Sequence, residues 1–155
     1  MPVATHASTA DNAASATSAT NADTVAGHNV ITFSKLVARN TTTPQVVFSL
    51  GGLSVNLACD ASGEPDTQGI SSAPGSMIRG MRITDAGTPT QFGSSNVDAG
   101  AAETLTTAAN HRGGVAFQYV QPDGHIVSVN MYVDDSSTIG GFLGCSVSGS
   151  AISGS

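Results

Sequence analysis

From Val30 onward the sequence alternates between apolar and polar residues, and this period of two constrains the fold more than any other feature. Apolar side chains at every second position indicate a strand with one buried face. The clearest alternation occurs in two pairs of segments, each joined by turn residues. The first pair has Val46, Phe48 and Leu50 before Gly51-Gly52, and Leu53, Val55, Leu57 and Cys59 after it. The second pair has Val115, Phe117 and Tyr119 before Pro122-Asp123-Gly124, and Val127, Val129, Met131 and Val133 after it. The sequence therefore predicts two β-hairpins.

Weaker alternation predicts further strands at residues 30–37, 77–84, 103–107 and 143–152. Segments rich in glycine, serine, proline and aspartate separate them, and no stretch after residue 30 has a helical period. Seven to nine short strands spaced in this way favour an all-β fold, an antiparallel sandwich or jelly-roll-like domain. We assign residues 29–155 to this domain.

The first 28 residues have a different period, with a small side chain at every third position. The repeat comprises Ala4, Ala7, Ala10, Ala13, Ala16, Ala19 and Ala22, and Val25 and His28 continue its phase. In a single α-helix these alanines would spiral around the axis, because each step of three drifts by about 60°. A collagen helix requires glycine in their place. One geometry that fits is several chains wrapped around a shared axis, which favours an oligomeric stalk; the leading hypothesis is a trimer. The alternative is a disordered linker.

The charge of the chain excludes two classes of partner. The net charge is −6, and the five cationic residues, one lysine and four arginines, are scattered along the sequence. Binding to nucleic acid or to an anionic membrane surface requires a cluster of cations. No apolar run approaches the roughly 18 residues of a membrane-spanning helix. We therefore expect neither a nucleic-acid partner nor membrane insertion.

The two cysteines bear on the compartment. Cys59 and Cys145 lie on the apolar side of their strands, and neither belongs to a CxxC pair or has a neighbouring histidine, which makes zinc binding unfavourable. They form a disulfide or stay as two buried thiols. A disulfide implies an oxidising compartment. No signal peptide is visible at the N-terminus, which fits either a cytosolic protein or a chain whose export signal lies upstream. The disulfide favours a secreted or cell-surface protein.

Several segments resemble a known group of surface proteins. Residues 19–28 (ATNADTVAGH) resemble the boundary before the C-terminal domain in tail-fibre-like and collagen-like proteins. Residues 49–55, 58–63, 122–124 and 145–152 resemble the C-terminal β domain of uncharacterised actinobacterial secreted proteins. The resemblance extends over residues 16–152. It implies a secreted β domain behind a repetitive stalk, and it supplies no catalytic residue.

The remaining chemistry-bearing residues are sparse. The four histidines lack the spacing of a metal pair; they are His6, His28, His111 and His125. His125 follows a turn, and we interpret it as an exposed edge residue. For His111, a contact with a ligand is an alternative. Asp134 and Asp135 are interpreted as a solvated strand end. Oxygen ligands at alternate positions of a predicted loop, Asp60, Ser62, Glu64 and Asp66, leave open a loose calcium site, although Pro65 and Ser71 depart from the EF-hand pattern.

No nucleophile elbow or positioned carboxylate pair is evident, so we assign no catalytic residue and no cofactor. The leading hypothesis is a non-enzymatic, extracellular structural or adhesive module that displays a β head on an oligomerising stalk. The alternatives are a carbohydrate- or peptide-binding, lectin-like module and, less favoured, a hydrolase.

Overall fold

In a computed structural model, the residues described are 24–25, 27–83, 87–106, 112–135 and 144–154. They form strands and no helix. The strands are β1 (Thr24–Val25), β2 (His28–Ala38), β3 (Thr41–Leu50), β4 (Leu53–Cys59), β5 (Pro65–Ser71), β6 (Ser76–Ile83), β7 (Pro89–Val97), β8 (Ala102–Thr104), β9 (Gly113–Val120), β10 (Ile126–Asp134) and β11 (Gly144–Gly154). The alanine repeat from Ala4 to Ala22 and His111 lie outside the described residues.

The strands pair into two antiparallel sheets. One sheet has seven strands in the order β1-β2-β11-β10-β9-β6-β7, and the other has four in the order β3-β4-β5-β8. The prediction of an all-β, sandwich-like fold with antiparallel sheets is confirmed. The described part of the chain holds eleven strands, more than the seven to nine predicted, because β5 and β7 occupy segments predicted as loops and the short β1 lies in the segment predicted as stalk.

The predicted hairpins both form, and their turns explain the glycines. Gly51 and Gly52 have φ angles of 51° and 78°, the pair of positive values that a two-residue type I′ turn requires. Gly124 has a φ of 91° in the turn between β9 and β10. These turns fix the register in which the alternating residues of each hairpin reach the same face.

The core lies between the two sheets. The inward residues of β4 and β10 are almost completely buried, and across the sheets the rings of Phe33 and Phe48 stack with their centroids 4.5 Å apart. Full burial of one large apolar side chain in this core stabilises the fold by about 1.5–3 kcal/mol before the loss of conformational entropy is subtracted. The best-buried apolar residues are Leu53, Val55, Leu57, Ile78, Leu105, Val127, Val129, Val133 and Val147.

One prediction about this core is wrong. The alternation predicts that Val46 lies in a buried stripe with Phe48 and Leu50, yet Val46 is 56% exposed. A register shift between Val46 and Phe48 places one extra residue in β3, so Val47 packs against the core and Val46 faces outward.

Candidate functional site

A disulfide joins the two sheets. The Sγ atoms of Cys59 and Cys145 are bonded, the Cα atoms are 5.6 Å apart, and both residues are completely buried. Cys59 ends β4 in the four-stranded sheet, whereas Cys145 lies in β11 of the seven-stranded sheet. The predicted disulfide is confirmed, and a buried disulfide is compatible with an extracellular protein.

Internal hydrogen bonds stabilise the loop that begins at Asp60, for which the sequence leaves open a calcium site. Oδ1 of Asp60 accepts hydrogen bonds from Oγ of Ser62 at 2.6 Å and from the backbone N–H groups of Gly63 and Glu64, both at 2.8 Å. These bonds, that from Ser62 above all, lower the pKa of the Asp60 carboxyl. Asp66 lies in β5 and its Oδ2 accepts a hydrogen bond from the side-chain amide of Gln68. Within the described ranges no three histidine, cysteine or acidic side chains cluster as a metal site would need.

A buried polar cluster lies at the other end of the sandwich, around the phenol of Tyr119. Its hydroxyl contacts Ser71, Ser76 and Gln121, whose amide also donates to the carbonyl oxygen of Gly51. Tyr119, Ser71 and Ser76 are almost inaccessible to solvent. The cluster therefore stabilises the end of the fold and is closed to a ligand.

His125, Asp134 and Asp135 are less exposed to solvent than the sequence predicts. His125 is partly buried, its Nε2 atom is inaccessible to solvent, and its backbone N–H donates to Oδ1 of Asp123. Asp134 and Asp135 are partly buried and lie near Arg112, with Nε···Oδ1 distances of 3.2 and 3.9 Å. A hydrogen bond with Tyr132 and the charge of Asp134 raise the pKa of the Arg112 guanidinium.

A concave surface lies on the outer face of the seven-stranded sheet, along β9. The sheet order places β9 between β6 and β10, so that outward side chains of these three strands form rows. The first row is Arg79, Gln118 and Ser128; the second is Met81, Ala116 and Asn130; the third pairs Gly114 with Tyr132 and is completed by Ile83. We call this surface the β9 groove.

The small residues of β9 form the floor of the β9 groove, and longer side chains of its neighbours form the walls. Gly114 and Ala116 leave a depression between Met81 and Ile83 on one side and Asn130 on the other. Adjoining depressions share these residues and extend to Arg79 at one end and to Arg112 and Asp135 at the other. The groove is thus continuous across the rows.

The walls of the groove expose apolar surface. Met81, Ile83 and Tyr132 lie on one contiguous face, and they are 52%, 49% and 50% exposed. Contiguous apolar surface of this kind, bordered by polar groups, is typical of a binding site. Sequence reasoning missed the groove, because its walls come from strands that are far apart along the chain.

No protein-family model, no curated protein and no solved structure matches this chain at a significant level. The described residues include no helix with the length and apolar character needed to cross a membrane.

Proposed function

We propose that this chain is a non-enzymatic, extracellular surface module whose β domain binds a partner through the β9 groove. The observation that carries the proposal is the set of half-exposed apolar side chains, Met81, Ile83 and Tyr132, beside a floor of small residues. Apolar surface gathered in a concave site gains free energy when a partner removes it from water. The buried Cys59–Cys145 bridge supports an oxidising, extracellular location.

The alanine repeat supports a second part of the same proposal. Copies of the alanine repeat, Ala4 to Ala22, would associate as a trimeric stalk and display several grooves together, while Thr24–Val25 and His28 belong to strands β1 and β2 of the β domain. Linked sites bind a surface with an avidity that exceeds the affinity of each site by about 10²–10⁴. A weak individual groove then suffices for adhesion.

Cell-surface location is tested by treating intact cells of the encoding organism with a protease that cannot enter them. We expect loss of the chain from intact cells, detected by antibody, while a cytosolic marker is retained. A chain that is protected until the cells are lysed contradicts the proposal.

The stalk is tested by light scattering of the full chain at tens of micromolar. We expect a trimer, converted to monomer when Ala10 and Ala13 are both replaced by glutamate, because charges do not pack at a shared axis. The matched variant replaces Asn12 and Ser15, which lie between the alanines, by glutamate, and it should stay trimeric. A monomeric full chain, or equal effects of both variants, contradicts the stalk.

A specific observation favours carbohydrate binding as the second candidate function. Tyr132 presents a half-exposed ring in the groove, and Asn130, on the same wall, carries an amide that could bond sugar hydroxyls. An array of neutral glycans tests it, with Tyr132→Ala expected to abolish binding and Tyr132→Phe to retain it, because the ring face contributes the contact. An array without bound glycans counts against this candidate.

A further inference from the structure

The length of the β9 groove sets the size of what it can hold. Along β10 the wall runs from Ser128 to Asp134, seven residues and therefore six residue steps of extended chain. At about 3.4 Å per residue this is roughly 20 Å, the length of about six residues of an extended peptide. The groove is therefore long enough to hold a short, extended segment of chain that lies along β9.

The width of the groove selects side chains of moderate size. The walls on β6 and β10 are two strand spacings apart, about 9.5 Å between backbones. Gly114 has no side chain, and that of Ala116 is a single methyl group. A slot therefore opens above them, between Ile83 and Met81 on one wall and Tyr132 on the other. Such a slot fits aliphatic side chains that would bury the exposed surface of these walls.

The two ends of the groove differ in charge. At one end the guanidinium of Arg79 lies in a row with the amide of Gln118 and the hydroxyl of Ser128, three side chains that donate hydrogen bonds to a carboxylate. At the other end two carboxylates, of Asp134 and Asp135, accompany one guanidinium, that of Arg112, which leaves an excess of negative charge. A complementary partner is acidic at the first end and basic at the second.

We infer that the β9 groove binds an extended peptide segment of about six residues, with a carboxylate at Arg79, aliphatic side chains over Gly114 and Ala116, and a basic side chain near Asp135. This inference rests on the proposed function only in taking the groove as the binding site. The peptide belongs to a partner protein, and the opposite charges of the two ends determine which end of the groove holds its acidic residue.

The test is selection from a phage library of random hexapeptides on the immobilised full chain. We expect enriched sequences that combine an acidic residue near one end, one or two aliphatic residues in the middle and a lysine or arginine near the other end. Selection that enriches no sequence, or sequences without this pattern, overturns the inference.

Two variants link the selected peptides to the groove. Ala116→Trp fills the floor and should weaken binding of an enriched, fluorescein-labelled peptide at least tenfold in fluorescence anisotropy. The matched control is Ala102→Trp, on an exposed strand of the other sheet, which should leave the affinity unchanged. Equal affinities for both variants overturn the inference. Thermal unfolding midpoints equal to that of the wild type show that a loss of affinity in Ala116→Trp comes from the filled floor.

A charge exchange tests the assignment of the Arg79 end. Arg79→Glu should weaken the enriched peptide at least fivefold, and a peptide whose acidic residue is replaced by lysine should recover that loss. Failure of this recovery overturns the placement of the carboxylate at Arg79, and with it the inference. These outcomes do not depend on surface location or trimer formation, so a failure of the proposed function in those tests is distinguishable from a failure here.

Discussion

The phenolic oxygen of Tyr119 lies 3.0 Å from Oγ of Ser71, and this contact joins β9 of the seven-stranded sheet to β5 of the four-stranded sheet. The same oxygen lies 3.4 Å from Oγ of Ser76 and accepts a hydrogen bond of 3.1 Å from Nε2 of Gln121. Buried hydroxyl groups are costly unless they are paired. The polar cluster therefore fixes how the two sheets meet at this end of the domain.

Replacing Tyr119 by phenylalanine should lower the free energy of unfolding by about 1–1.5 kcal/mol, because the buried hydrogen bonds of the phenol with Ser71 and Gln121 are lost, while Ser71 and Ser76 still donate to the carbonyl oxygen of Ala73. Urea denaturation measures the change. Tyr132→Phe is the matched control: its ring is half exposed and its hydroxyl bonds to the exposed Arg112, so the change should alter stability by no more than about 0.5 kcal/mol. Similar losses in the two variants would refute the structural role of the cluster.

Replacing Cys59 and Cys145 together by alanine should lower the free energy of unfolding by roughly 4.6 kcal/mol, the chain-entropy value for a loop of this length. The cysteines are 86 positions apart, so the unbridged denatured chain gains many conformations. Guanidinium denaturation of the double variant measures the loss. Because both sulfurs are buried, dithiothreitol should reduce the wild type only when denaturant is present; rapid reduction of the native protein would contradict the buried bridge.

Gly52→Ala should destabilise the protein more than Gly124→Ala. Both glycines have positive φ angles, 78° and 91°, so both substitutions incur a backbone penalty of about 1–2 kcal/mol. A Cβ atom at Gly52 would also collide with the side chains of Gln121 and Ser72, whereas none lies within 4 Å of one at Gly124. We expect an additional loss of about 1–3 kcal/mol for Gly52→Ala, measured by urea denaturation. Equal losses would show that the collision is relieved without cost.

The carboxylate of Asp60 should give the protein a small stability term that depends on pH. Hydrogen bonds from Ser62 and from the backbone of Glu64 and Gly63 hold its pKa below the ordinary 3.8. The folded state therefore binds this proton less tightly than the unfolded state, so the term is complete above pH 3.8 and is lost as the pH falls through the folded-state pKa. A carbon-detected NMR titration measures that pKa; a value of 3.8 or higher contradicts the hydrogen-bonded loop.

Much of the fold could be predicted from the sequence, because the strands that pair most extensively also alternate most clearly. Each inward position of β10 holds a valine or methionine, so its period of two is evident. In β5 the inward residues include Thr67, Gly69 and Ser71, which are buried but carry no apolar signal. Their environment is the polar cluster and the neighbouring strands, neither of which local periodicity reports. Local periodicity therefore predicts a loop where β5 forms.

The β9 groove could not be predicted from the sequence for a topological reason. Met81 and Ala116 are cross-strand neighbours, although 34 residues separate them along the chain. The sequence identifies both as positions on strands, but only the pairing of β6 with β9 makes them the wall and floor of one surface. The exposure of Val46 has a more local cause, since a single extra residue in β3 reverses the face on which the preceding residues lie.

The position of the disulfide has a mechanical consequence. Cys59 and Cys145 flank the segment that contains β5 to β10, including the strands that form the β9 groove. Tension applied to the chain before Cys59 and after Cys145 passes through the covalent sulfur bridge and bypasses that segment. Strands outside the bridge can peel away under load, while the segment between the cysteines cannot be stretched out from its ends.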